Sequence, residues 1–365
     1  MSYSDKEILK ALSNVIAPDL GKDLVTLNMI RKLKIEGKEI SFDLVLTTPA
    51  CPLKTALENA CKNAIKHLVD KDAIIHMNTT SDVTSTKSSS EDALPDVKNV
   101  IAVASGKGGV GKSTVAVNLA ISLAKNGAKV GLIDADIYGP SIPIMFGMKE
   151  VKPQAKKIDE KNYMIPFEKY GIQFISIGFF MDEEQSLPWR GPMASSAIRQ
   201  FINDTLWGEL DYMIIDLPPG TGDIQLTLAS AVSITGAVVV STPQDLALAD
   251  VKKAVGMFQN PKINIPIIGL VENMSYFSPE DMPDKKYYIF GKGGTEKLSQ
   301  EKEIEFLGSL PIIEQIRVSC DSGSPISLDE GSESAILFKE LSEKVAQQIS
   351  IINNKKEPKP EETTA

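Results

Sequence analysis

Apolar residues recur at helical spacing at Ile8, Leu9, Leu12, Val15 and Ile16, just after Ser4-Asp5-Lys6-Glu7, whose serine and glutamate three residues apart fit a capping box. That pattern predicts an opening helix. Two strand-like segments follow, roughly residues 24–35 and 39–46, and Glu36-Gly37-Lys38 suits a hairpin turn between them. Beyond the loop Thr47-Thr48-Pro49-Ala50-Cys51-Pro52, a second helical face carries Leu53, Leu57, Ala60, Cys61, Ala64, Ile65 and Leu68, and Ala73-Ile74-Ile75-His76-Met77 reads as a strand. A small α+β domain over residues 1–80 is predicted. From Asn78 to Pro95 the chain turns to Ser, Thr and Asp with little apolar content, and residues 81–97 are read as a flexible linker.

Beyond Asn99 the pattern changes to apolar strands alternating with helices, which predicts an α/β domain with a doubly wound, mainly parallel sheet. Candidate strands cover residues 100–104, 130–134, 174–177, 212–216, 237–242, 267–272 and 306–310. A last helix near residues 335–352 carries Ile336, Leu337, Leu341, Val345 and Ile349 on one face. The domain is read as residues 98–352, and the Lys-, Glu- and Pro-rich tail 353–365 as disordered. Residues 224–244 are uncharged and long enough to span a bilayer, but Gln225, Ser230, Gly236 and Pro243 divide them into a helix, a turn and a buried strand.

Composition removes several function classes. Of 365 residues, 39 are Lys or Arg and 48 Asp or Glu, and the net charge of −9 opposes a general nucleic-acid-binding role. Three cysteines and two histidines supply neither a disulfide framework nor a zinc set, and fit a cytoplasmic protein. No basic segment leads into an apolar run at the N-terminus, so no secretory signal is expected. The polar face of the last helix mixes Lys339 and Lys344 with Glu340 and Glu343, which argues for packing rather than membrane binding. Burial is expected for Trp189 and the apolar run from Met181 to Met193.

The chemistry concentrates at Ser105-Gly106-Lys107-Gly108-Gly109-Val110-Gly111-Lys112-Ser113-Thr114, which follows a strand, opens a helix and satisfies GxxxxGK[ST]. Such glycines let the backbone curl until successive N–H groups point at phosphate oxygens, and the helix terminus adds partial positive charge. A P-loop NTPase domain binding ATP with Mg2+ is the reading. Gly106 to Ser113 would cradle the nucleotide, Lys112 would neutralise the β- and γ-phosphates, and the Ser113 hydroxyl would ligate Mg2+. Asp216 ends the apolar strand Tyr212-Met213-Ile214-Ile215 and is the second magnesium residue. The loop Pro218-Pro219-Gly220-Thr221-Gly222-Asp223 offers backbone N–H groups for the γ-phosphate. Asp134 and Asp136 stand at another strand end; Asp136 would orient the attacking water with Asp134 near the metal, unless the pair caps a helix beside Tyr138-Gly139-Pro140-Ser141.

The additional Lys107 makes Lys107-Gly108-Gly109-Val110-Gly111-Lys112-Ser113 resemble the deviant P-loop of the MinD/nitrogenase-iron-protein superclass. With Asp134-Ala135-Asp136-Ile137-Tyr138-Gly139-Pro140-Ser141, Asp216-Leu217-Pro218-Pro219-Gly220-Thr221-Gly222-Asp223 and Val271-Glu272-Asn273-Met274-Ser275-Tyr276-Phe277, the chain resembles the Mrp/ApbC iron–sulfur cluster carrier ATPases from about Lys98 to Leu341. Pro49-Ala50-Cys51-Pro52 before a helix resembles the small iron–sulfur assembly domain fused ahead of such ATPases. The resemblance implies slow ATP hydrolysis, a homodimer in which Lys107 reaches the partner's nucleotide as a catalytic group beside Lys112 and Asp136, and cluster transfer to apoproteins. It implies adenine contact by Asn273, which is also an ordinary turn residue at a strand end.

One departure stands out. The family's Cys-x-x-Cys positions hold Pro279 and Met282 here, and neither supplies a thiolate. Cys51 is then the remaining candidate for an iron–sulfur cluster, with a reactive or structural thiol as its alternative. Cys61 is expected in the core and Cys320 in a loop. A ParA/MinD-like positioning or scaffolding ATPase without a cluster is the alternative function. Gly291-Lys292-Gly293-Gly294 lacks a following Lys-Ser/Thr and reads as a turn opening a helix.

Overall fold

In the computed structural model, which describes residues 3–85, 93–180, 191–222, 225, 227, 228, 231–279, 281, 282 and 284–356, the chain forms two units. One comprises residues 1–86 with 346–365, the other residues 87–345. Helix α1 (Asp5–Leu12) opens with the capping box: the Glu7 N–H donates to Ser4 Oγ at 3.3 Å, and the Ser4 N–H to Glu7 Oε2 at 2.9 Å. A short ribbon, β1 (Ile16–Ala17) and β2 (Lys22–Asp23), precedes β3 (Ile30–Glu36), β4 (Glu39–Leu46), α2 (Lys54–Leu68) and β5 (Ile74–Ser81). The sheet runs β3-β4-β5, antiparallel then parallel, because a hairpin joins the first pair and the α2 crossover the second. Ile40, Phe42, Leu44 and Leu46 alternate into one core with Ile8, Leu12, Leu57, Cys61 and Ile65.

Two predicted segments differ. Residues 24–29 turn instead of extending, since the Asp23 carboxylate accepts the N–H groups of Val25 and Thr26 at 3.0 and 2.8 Å. The strand predicted to end at Met77 continues through Asn78-Thr79-Thr80-Ser81, paired with Asp43 to Leu46. Ladder pairing outweighs the polar composition there.

The second unit carries β6 (Val97–Ser105), α3 (Lys112–Lys125), β7 (Val130–Asp134), α4 (Ile142–Met145), β8 (Ala155–Ile158), β9 (Lys161–Met164), β10 (Phe167–Lys169), β11 (Ile172–Ser176), α5 (Gly191–Asn203) and β12 (Leu210–Asp216). It continues with β13 (Gly236–Ser241), α6 (Asp245–Phe258), β14 (Ile267–Glu272), α7 (Gly294–Lys302), β15 (Phe306–Ser309), α8 (Glu314–Asp321) and the first part of α9 (Glu333–Lys356), whose residues from 346 onward belong to the first unit. An eight-stranded sheet runs β10-β11-β7-β12-β6-β13-β14-β15, parallel except for the β10–β11 pair, so the doubly wound α/β expectation is borne out. The β8–β9 hairpin was not foreseen because nearly all of it is exposed and no buried face imposes an alternation. On α9 the buried positions include Ala335, Phe338, Leu341 and Val345, while Ile336, expected on that face, is exposed. Among the described residues no helix is long and apolar enough to cross a membrane.

Register sets up the site. Strand β12 lies between β7 and β6, and Asp216 pairs in register with Asp134 on one side and Val103 on the other. Behind Asp134, Phe174 of β11 stacks on Phe146 with ring centroids 4.3 Å apart, and Phe179 packs on Phe167 at 4.5 Å. Phe146 ends α4, so the stack anchors the segment after β7. Replacing the fully buried Phe174 by Ala is expected to cost about 3–5 kcal/mol, read as a lower urea midpoint; a loss below about 1 kcal/mol would show that the stack does not hold this edge.

Candidate functional site

The loop from β6 to α3 curls through Gly109 and Gly111, whose φ values of 79° and 80° lie where only glycine sits without strain. Gly106 is required for another reason. A Cβ there would meet the backbone of Asp250 and Val251 in α6, which cannot give way. Gly108, Gly109, Gly111, Lys112, Ser113 and Thr114 line a cleft of about 390 Å3 together with Lys107, Asp136, Tyr138 and Pro219. Asn273, just past β14, donates its amide to the Val110 carbonyl at 2.8 Å and fills the space over Gly111. In this arrangement it buttresses the loop.

Lys112 is almost fully buried, and its Nζ lies 2.7 Å from Asp216 Oδ1, 3.3 Å from Asp136 Oδ2 and 3.2 Å from Ser113 Oγ. Burial opposes its charge, but the fields of Asp216, Asp136 and Asp134 outweigh burial and raise its pKa above the usual lysine value. Asp216 is wholly buried, which pushes its pKa upward against the pull of Lys112, and among the described residues its Oδ2 has no hydrogen-bond partner. Asp134 is also wholly buried. Burial, with Asp216 adding to it, pushes its pKa up to about 7. Of the two open readings for the aspartate pair, capping describes Asp134: it accepts the Ile142 N–H at the start of α4 at 3.3 Å and the Ser176 hydroxyl at 2.7 Å. Asp136 instead lines the cleft, and one of its oxygens accepts the Tyr138 N–H at 3.3 Å.

Lys107, half-buried at the cleft, donates to Gln244 Oε1 at 3.3 Å, while its carbonyl accepts the Ser105 hydroxyl at 2.9 Å. The loop after Asp216 is held as well: Gln225 Nε2 donates to the carbonyls of Pro218 and Gly220 at 2.9 and 3.1 Å. The Gly220 N–H, one of those expected to face a γ-phosphate, donates to Ser105 O at 2.9 Å. Asp223 lies outside the described residues. Ser176, Gln225 and Gln244 were missed from sequence. No motif marks them, because Ser176 and Gln244 meet their partners 42 and 137 positions away.

The cysteines do not come together as a ligand set. Cys61 is buried in its helix, where burial pushes its thiol up to about 11. Cys320, expected in a loop, lies in the last turn of α8 and is buried, which raises its pKa too; the helical spacing from Ile316 places it inward. Cys51 is half-buried just ahead of α2. Among the described residues no three His, Cys, Asp or Glu side chains converge as a metal site. Pro279 and Met282 sit between Phe277 and Tyr287, which bond N–H to carbonyl in both directions at 2.9 and 2.8 Å, and Lys286 covers the Tyr276 ring at 4.2 Å. The turn at Gly291 to Gly294 opens α7 with Gly293 left-handed, as expected. Trp189 and the rest of residues 181–190 lie outside the described residues, and Met193, expected to be buried, is exposed.

The family model described as NUBPL iron-transfer P-loop NTPase matches residues 96–349, and one described as iron–sulfur cluster assembly protein matches residues 5–75. The curated iron–sulfur cluster carrier protein of Synechocystis is 45% identical over 353 residues, spanning 94% of this chain and 97% of that one. A solved nucleotide-binding protein from Archaeoglobus fulgidus in complex with ADP is 38% identical with a TM-score of 0.57, covering 68% of this chain and 96% of its own. An ATP complex of Cyanothece McdA, at 18% identity and TM-score 0.51 over 69% of this chain and 96% of its own, is alike in fold alone.

Asp134 carries a pH prediction. Its folded pKa stands near 7 against 3.8 for the free side chain, so between those values the folded chain binds a proton that the unfolded chain releases. Stability should therefore fall as pH rises through that window, by about 4 kcal/mol over all of it and about 2–3 kcal/mol of that above pH 5, and Asp134→Asn should remove the slope. Urea melts from pH 5 to 8 in EDTA without nucleotide measure it. Parallel profiles for the two proteins would show that Asp134 is ionised throughout.

Proposed function

The chain belongs to the NUBPL iron-transfer P-loop NTPase family, and from that membership we propose that it binds and hydrolyses ATP with Mg2+ and carries iron–sulfur clusters to apoproteins. The observation that carries this reading is the pairing of both matched regions in one chain with near full-length similarity to a protein named as a cluster carrier. The positioning alternative has only a likeness of fold behind it, below 25% identity.

The site's donor set suits a magnesium nucleotide. If Lys112 turns to the phosphates, Asp216 and Asp136 lose their cation, and Asp216 Oδ2 is already a buried oxygen without a hydrogen bond. Asp216 and the Ser113 hydroxyl would hold Mg2+, whose chemistry at such a site is neutralisation of phosphate oxygens. The curled amides of residues 106–113 bind and orient the triphosphate, Lys112 offsets its charge, and Asp136 orients the attacking water at the cleft wall. Asn273 serves the adenine side while keeping the loop braced. A homodimer would let Lys107 reach the partner's nucleotide.

The cluster is cargo. With Pro279 and Met282 in place of a cysteine pair, Cys51 from two subunits, completed by thiols of a client or small molecule, is the proposed holding point. The cytoplasm, with its reduced thiols, is the proposed setting. Anaerobic reconstitution with iron and sulfide, followed by transfer to an apoprotein, tests this: the natural chain should bind and transfer iron, and Cys51→Ser should lose most of it. No bound iron with ATPase intact would remove the carrier role. Lys112→Ala should weaken ATP binding by about 100-fold or more, measured by calorimetry with magnesium; unchanged affinity would dismiss the nucleotide site itself.

A further inference from the structure

The two lysines of the P-loop are held by different chemistry. Lys112 sits among carboxylates, whereas the Lys107 ammonium is held at 3.3 Å by the neutral amide oxygen of Gln244. Gln244 occupies the N-cap of α6 in extended backbone, a position where Ser, Thr, Asp or Asn usually caps the helix, and its side chain makes no cap hydrogen bond. It is committed to the lysine instead. Both ends of the contact are set by backbone: the Ser105 hydroxyl binds the Lys107 carbonyl, and Gly106 lies against the α6 backbone at Asp250 and Val251 with no room for a side chain. The P-loop's first residues and α6 are thus seated together, and the amide meets Lys107 at the mouth of the cleft. An amide holds an ammonium more weakly than a carboxylate or a polyphosphate does. The contact is one that a bound nucleotide outcompetes.

We propose that Gln244 is a positioning residue that parks Lys107 on its own chain and yields it to a triphosphate during hydrolysis. The inference rests on the proposed role of Lys107 as a phosphate-directed cation. Lys107 then has two destinations, Gln244 and phosphate, and the strength of the first sets how readily the second is reached.

Steady-state phosphate release with Mg-ATP and the affinity for a fluorescent ADP, each on full-length chain, test this. Gln244→Glu turns the amide contact into an ion pair of the same shape and should lower kcat by about fivefold to tenfold with ADP affinity within twofold. Gln244→Ala should raise kcat by about threefold. In a Lys107→Ala background both substitutions should be silent. Hydrolysis at the natural rate by Lys107→Ala would remove the role of Lys107 and the proposal with it. An impaired Lys107→Ala beside unchanged Gln244 variants would overturn the parking role alone. Equal losses from Gln244→Glu with and without Lys107 would mark a merely structural effect and overturn it too.

Discussion

One ammonium group compensates two carboxylates at the carboxyl end of the central strands, beside a third carboxyl group whose burial favours its protonated form. Lys112 bonds Asp216 and Asp136, and Asp134 stands in register beside Asp216. Removing one partner of a buried pair commonly costs 3–5 kcal/mol, about the scale of a domain's whole stability margin. The surroundings are built to that demand. Strand β12 lies between β7 and β6, so its terminal aspartate faces both the P-loop and the other acidic strand. Ser176 and the Ile142 N–H share the load on Asp134. Among the described residues Asp216 Oδ2 is left without a hydrogen bond, an acceptor placed to take a cation.

Much of this was legible in the sequence because it is local. A glycine loop between an apolar strand and a helix, and aspartates ending apolar strands, are patterns within ten residues, and the structure brings Lys112, Asp136 and Asp216 into contact. The separate tasks of Asp134 and Asp136 were not legible. Spacing of two puts both at the end of one strand, but which caps α4 and which lines the cleft depends on β11 and on Ser176. Gln244 was hidden for the same reason, its partner being 137 residues away. The exposed β8–β9 hairpin escaped because no buried face imposed a period on it, and Cys320 because the last turn of a short helix, with Ser319 and Ser322 around it, reads as a loop.

The thiols show how burial sorts residues of one type. Cys61 is buried in an apolar core and Cys320 beside the side chains of Ser319, Thr114 and Asn118, and at both burial disfavours the charged thiolate and ligation with it. Cys51 escapes full burial because it stands ahead of α2 in a loop opened by Pro49, and the Thr48 hydroxyl accepts the Ala50 N–H just before it. A single half-buried thiol is a poor resident site for a four-ligand cluster but a reasonable relay point, since ligands supplied from outside can be withdrawn. The hairpin from Phe277 to Tyr287 is pinned by paired backbone bonds in its own right and keeps its shape without thiolates.

The contrast between the two P-loop lysines carries the mechanistic logic further. A cation held by carboxylates leaves only when the carboxylates receive compensation, so Lys112 reports on the charge state of the whole pocket. A cation held by an amide leaves whenever a more negative partner comes within reach, so Lys107 responds to the polyphosphate itself. The first device balances the buried charges of the pocket; the second keeps a positive charge beside the cleft without confining it there. Exchanging the two kinds of partner would shift both properties, because a carboxylate at Gln244 would retain Lys107 against the nucleotide and an amide at Asp216 would deprive Lys112 of the nearest of the carboxylates that make its burial tolerable.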